Sequence, residues 1–314
     1  MSRLASLENY LDNDVAYLLG LILMRGAFYE ENDLRRLVIK FPYKLLVAKS
    51  VPGSRLKFER ETAIRLSLDN VRNTVMELLG QDLIINRSPN EVSLTAVFTR
   101  NTMAWRNLKT LFKDKNSFLE FIIPDVIWDS PLDIKKDFMR GIADAASNPS
   151  PGDAGPDKRQ RIVIEFSHKN WMLPLQVCRL LQEELGVNVA HVLWGHPNIR
   201  ASTQTSDLRS WKKEHRMRIM AEDFVPISYA KFEYKQKLFE ELLKWNQKRK
   251  LDRPTKPCNP KRKKPKRRHP PHQGEKSKDL PPALQRHFDA SFQVCLALGC
   301  EQGEEGGSEE AADE

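Results

Sequence analysis

The sequence predicts an α+β protein built from two pseudo-symmetric units, each running helix, two strands, helix, two strands, helix (αββαββα), with a charged tail after them. Three observations predict it. Two apolar segments, each with an internal glycine, begin matching stretches about 121 residues apart, at 17–26 and 138–147. The order of periodic segments after the first recurs, with fewer clear strands, after the second. Near Arg253 the composition changes from core-forming to Pro, Lys and Arg, which cannot build a packed core. The expected divisions are 1–125, 126–250, a basic Pro-rich linker over 251–280, and a short helix with an acidic tail over 281–314.

In the first unit, Asp14 is placed to cap a helix over 15–24. Branched residues over 34–41, limited by Pro42, read as a strand, with 55–58 as its partner. Asp69 and Asn70 open a helix over 71–79 that Gly80 ends. Strands over 82–86 and 91–98 flank a turn at 88–90, and a helix over 103–113 completes the unit. In the second unit, 132–146 is helical and 147–160 reads as a Pro/Gly/Asp loop. Residues 161–166 form a strand, 173–185 a helix ended by Gly186, and 187–194 and 216–220 a strand pair joined by a long loop. A charged amphipathic helix covers 229–250.

The net charge of +9 is uneven. Residues 248–278 carry fourteen Lys or Arg against Asp252 and Glu275, whereas 279–314 carry Arg286 against nine acids. The basic tract, densest at 261–268 (KRKKPKRR, with Lys263 and Lys264), suits a polyanion, or serves as a solvated linker. No apolar run reaches the roughly 18 residues of a membrane span, and 1–3 lead into Leu-rich sequence without a signal-peptide cleavage pattern. A cytoplasmic protein without a membrane partner is expected. Four cysteines are too few for a disulfide scaffold. Cys258, Cys295, Cys300 and His287 have zinc-ligand types at irregular spacing; ordinary cysteines in a helical appendage are the other reading. Phosphate-loop, dinucleotide and serine-hydrolase motifs are absent.

The informative segments are YLLGLILMRG (17–26) and FMRGIADAAS (138–147). A glycine inside a helix costs about 1 kcal/mol, and close approach of two helices is the obvious compensation. Gly20 and Gly141 are therefore expected at a helix interface, the seam of a monomeric pseudo-dimer. On these motifs the chain resembles the LAGLIDADG homing endonucleases over roughly 12–247. The resemblance implies two αββαββα subdomains whose sheets form a saddle over the DNA major groove. It also implies an acid at the foot of each motif helix that helps hold the metal ions used to cut. Here those positions are Arg25 and Ala146, and the second terminal glycine is Ser147. A guanidinium repels a metal cation and a methyl group supplies no ligand. Asp144, about 200° around the helix, and Glu165 on the following strand are the fallback acids, with Glu30 and Glu31 after the first motif.

Alternation assigns the ligand-facing side chains. Arg36 and Lys40 share a face with Val38; Arg161 and Glu165 share one with Val163, opposite Ile162, Ile164 and Phe166; Arg216 and Arg218 oppose Met217 and Ile219. Such faces suit base edges and phosphates, or are solvated sheet faces. Arg25 suits a phosphate or ends its helix at the surface. The polar connection over 196–211 contains Arg200, and Lys212 and Lys213 follow it. By the resemblance one of these lysines corresponds to a lysine near the active centre, and phosphate binding is the safer role. Trp211 is the candidate for base stacking; the other tryptophans read as core, and His168 and His191 as structural. The expected function is sequence-selective binding of duplex DNA without cleavage and without a cofactor. The alternatives are a Mg²⁺-dependent endonuclease with relocated acids, an RNA-binding maturase-like protein, or an interaction protein localised by its basic tract.

Overall fold

Two helices are tied to each other along their length, and the sheets are built outward from their ends. The computed structural model describes residues 11–46, 60–99, 101–150, 160–197 and 213–251. Two compact units divide the chain, Met1–Thr255 and Lys256–Glu314, and the second lies outside the described residues.

Helix α1 (Asn13–Arg25) is capped by Asp12, not Asp14: the Asp12 backbone is extended, and its carboxylate accepts from Val15 N at 2.8 Å. Asp14 instead pairs with Lys231 at 3.0 Å. Every residue from Val15 through Met24 is buried, the pattern of a helix covered on all sides. The four-residue α2 (Tyr43–Leu46) and α3 (Arg60–Leu79) follow in the first half, then α4 (Met103–Leu111). Helix α3 starts ten residues before the expected 70–71 boundary, because its apolar stripe already begins at Ile64 and continues through Leu68, Val71, Val75 and Leu78. Short α5 (Asp125–Trp128) leads to α6 (Leu132–Ala146), whose bounds agree with the sequence reading.

Helices α1 and α6 touch backbone to backbone. A Cβ added at Gly20 would lie 2.3 Å from Phe138 O, and one at Gly141 would lie 2.2 Å from Tyr17 O. Side chains extend the contact in one direction along both helices: Asn13 donates to Asp137, and Arg25 Nε lies 3.4 Å from Ala145 O. The helices therefore run the same way and their C-terminal feet lie together.

Each helix turns directly into an edge strand. Strand β1 (Gly26–Glu31) pairs with β2 (Leu34–Pro42), and β4 (Glu91–Phe98) separates β2 from β3 (Leu83–Arg87), giving the antiparallel order β1-β2-β4-β3. The expected partner of β2, 55–58, lies outside the described residues; β1 and β4 hold its two edges. In the second half β5 (Ser147–Ser150), β6 (Arg161–Ser167), β7 (Val189–Pro197) and β8 (Lys213–Met220) repeat the order as β5-β6-β8-β7. Residues 147–150 were expected in a loop, because Asn148 and Pro149 have poor strand propensity. Pro149 is tolerated because β5 is an edge.

Helix α7 (Met172–Arg179) widens into a π turn at Leu180–Glu184. The last helix, α8 (Glu233–Leu251), starts later than expected. After a 3-10 turn at Glu222–Ile227, Ser228 and Tyr229 take positive φ (57° and 38°), which interrupts any helix there. Tyr229 is buried in that conformation, with its hydroxyl 2.7 Å from Ser147 Oγ. The αββαββα order thus occurs twice. No helix among the described residues is long and apolar enough to cross a membrane.

Gly20→Ala forces a carbon onto a backbone carbonyl that cannot move without its helix. A loss of at least about 2 kcal/mol is expected, at the upper end for overpacking, and a urea titration measures it.

Candidate nucleic-acid interface

The feet of α1 and α6 are occupied by the chain's own cations. At the end of α6 the carbonyls of Ala143, Asp144 and Ser147 accept from Lys235 Nζ at 3.2, 2.6 and 2.9 Å, and that side chain is fully buried. The Ala145 carbonyl faces Arg25. Both cations sit at the negative pole of the helix dipole. Asp144 points the other way, into the protein. Its carboxylate accepts from Tyr17 Oη at 2.8 Å, Lys231 N at 2.8 Å and Phe232 N at 3.1 Å. Asp144 of α6 thus serves the start of α8, while Lys235 in the first turn of α8 serves the end of α6.

Burial raises Asp144 to about 6, opposed by Lys235 and by the hydrogen bonds from Tyr17, Lys231 and Phe232. Burial lowers Lys235 to about 8, with Asp144 holding it up and Arg25 pushing it down. The Arg25 guanidinium is likewise lowered by burial, with Glu165, Glu214 and Glu91 acting in the opposite sense.

Beside these feet stand two carboxylates. Glu165 on β6 pairs with Lys44 of α2 and lies 4.0 Å from Arg216; Glu214 on β8 lies 3.3 Å from Lys44 and pairs with Arg216. Asn148 Nδ2 donates to Lys44 O at 3.0 Å, so the first half meets the edge of the second sheet here. Mg²⁺, which the family resemblance implies, needs clustered oxygen ligands free to coordinate. The residues present do not fit it. The two acids are each neutralised by Lys44 and Arg216, the carbonyls of α6 are engaged by Lys235 and Arg25, and Asp144 is turned inward. Among the described residues no group of three or more His, Cys, Asp or Glu side chains is arranged to hold a metal ion.

The sheet faces turned from the helices carry the remaining charges. In the first sheet, inward Leu37, Ile39 and Phe41 alternate with Arg36, Val38 and Lys40. Arg36 pairs with Glu31 at 2.8 Å and Lys40 with Glu91 at 3.0 Å. In the second sheet, inward Ile162, Ile164 and Phe166 alternate with Arg161, Val163 and Glu165, and the register sets Arg218 opposite Val163 and Arg216 opposite Glu165. Exposed His191 stands across from Arg218 on β7. Burial lowers the Arg218 guanidinium, and Arg161 and Arg216 lower it further. Lys213, the first residue of β8, is exposed.

Arg200, Trp211, Lys212, Lys263, Lys264 and the cysteine cluster lie outside the described residues. Sequence reasoning passed over Lys44, Glu214 and Lys235. A signal existed for the last: Lys235 falls on the α8 stripe with Phe232, Leu238, Phe239 and Leu242, and a lysine inside an apolar stripe is a buried charge in search of acceptors. Glu214 and Lys44 carried none, because their pairing spans 170 positions.

No family model matches the sequence, and no curated protein matches it. Among solved structures the chain is similar to mesophilic variants of the homing endonuclease I-DmoI, at 16% identity over 69% of this chain and 89% of that one, with a TM-score of 0.41. It is also similar to full-length DUF199/WhiA from Thermatoga maritima, at 11% identity over 78% and 64%, TM-score 0.40. The N-terminal LAGLIDADG domain of DUF199/WhiA gives 12% identity over 73% and 88%, TM-score 0.36.

Lys235→Met strips three carbonyls and the Asp144 carboxylate of their cation. A loss of about 3 kcal/mol or more is expected, as for other broken buried pairs, and the Lys235→Met/Asp144→Asn double variant should lose less than the sum of the singles in urea titrations. His215 supplies a pH prediction. Burial lowers it to about 4 from 6.5, with Nδ1 accepting from Gly195 N at 3.0 Å. The unfolded chain then binds the extra proton, so stability is lost as pH falls from about 6.5 towards 4. The urea midpoint of the parent should fall more steeply over that window than that of His215→Gln.

Proposed function

We propose that this chain binds duplex DNA sequence-selectively through the outward faces of its two sheets and does not cut it. The observation that carries the reading is the chemistry where the paired helices end. Arg25 and Lys235 occupy the carbonyls there, and the neighbouring carboxylates are held by Lys44 and Arg216. That centre offers a divalent cation no free oxygen ligand, and its cations repel one.

The flanking sheet faces support the same partner. Antiparallel strands with alternate Arg, Lys, Ser, Thr and Asn side chains can enter a major groove, where bidentate Arg pairs read guanine and the polar residues read other edges. The basic tract over 248–278 adds non-specific attraction to phosphates. Metal-dependent cleavage would require Glu165 and Glu214 to leave their cations, and structured RNA would have to be read without a wide major groove.

The test incubates the full chain with a pool of random-sequence duplexes and Mg²⁺ or Mn²⁺, scoring bound and cut molecules together. Binding without cutting is expected, enriching a common sequence and weakening by an order of magnitude or more between about 50 and 200 mM salt. Cutting that Glu165→Ala abolishes would refute the non-cleaving reading. Preferential displacement of the duplex by structured RNA would refute the partner.

A further inference from the structure

The two sheets repeat one topology but not one electrostatic surface. On the outward face of the first, both basic side chains have an acid: Arg36 has Glu31 and Lys40 has Glu91, and Arg36 also lies over the Tyr29 ring. The rest of that face is apolar or neutral, with exposed Tyr29, Leu34 and Ile84. On the outward face of the second sheet, Arg216 is shared between Glu214 and Glu165, but Arg161 and Arg218 have no acid partner among the described residues. The buried Nε of Arg161 has no hydrogen-bond partner. Arg161, Arg216 and Arg218 are close enough to depress the Arg218 guanidinium together. Clustered guanidiniums without an acid partner are poised for an anion that none of these side chains supplies.

Resting on the DNA-binding reading above, we propose that the protein grips DNA asymmetrically. Arg161 and Arg218 of the second sheet anchor one half-site through its phosphates. The first sheet lies against the other half-site with its cations already neutralised internally. Guanidinium suits this role because its planar fork donates bidentately to phosphate.

The experiment uses the full chain and a duplex enriched from the random pool, with dissociation constants measured over a salt series. Arg161→Gln with Arg218→Gln should weaken binding at least about tenfold and lower the log–log salt slope by about two, one per lost phosphate contact. Replacing Arg36, Lys40, Glu31 and Glu91 together by Gln removes both ion pairs at no net change in charge and should change affinity less than about threefold. Glu31→Gln with Glu91→Gln supplies the arm that misfolding cannot imitate: freeing Arg36 and Lys40 should tighten binding several-fold and steepen the salt slope by up to about two. A loss from the four first-sheet substitutions equal to that from Arg161→Gln with Arg218→Gln, or no gain from removing the two acids alone, would overturn the asymmetry while leaving DNA binding intact. Failure of the parent chain to bind any duplex would overturn the DNA-binding reading and the asymmetry with it.

Discussion

The approach of α1 to α6 at Gly20 and Gly141 is the constraint on which the rest of the structure depends. With carbonyl oxygens 2.2–2.3 Å from where a Cβ would stand, the helices are as close as their backbones allow. Because they run in the same direction, their feet converge. Each helix turns straight into an edge strand at its foot, at Gly26 and at Ser147. The position of each sheet's first strand is therefore inherited from the helix pair.

Convergence of two helix C-termini concentrates the negative ends of two dipoles. In this chain protein cations meet that charge. Arg25 reaches across from α1 to the end of α6, and Lys235 comes from α8 to take three carbonyls. The burial of Lys235 is tolerable because every ammonium proton has an acceptor and Asp144 is near. Asp144 in turn ties Lys231 and Phe232, just before α8, and Tyr17 of α1 to α6. One acid and one lysine thus link three helices, at the place where a hydrolytic centre would need free oxygen ligands.

Outward from the feet, the antiparallel register determines which charges share a surface. Glu165 and Glu214 come from different strands, and Lys44 comes from the other half of the chain, yet they meet within one small cluster. Arg161 and Arg218 share that face but pair with neither acid among the described residues. Local ion pairing then separates two sheets of matching topology into a neutral face and a cationic one.

Much of the architecture was legible in the chain itself. The glycines in apolar helices, the alternation of Ile162, Ile164 and Phe166 with charged residues, and the recurrence of the element order determined the fold class and the seam. These are periodic signals, and period is a local property. The first strand of each unit was not legible, because 26–31 and 147–150 have weak strand propensity and become strands only by pairing with β2 and β6. The inward turn of Asp144, the burial of Lys235 and the pairing of Lys44 with Glu165 and Glu214 were also decided only by tertiary structure. Each depends on which side chains arrive from positions 87 to 170 residues away, and a charge acquires its role from those neighbours rather than from its place in the sequence.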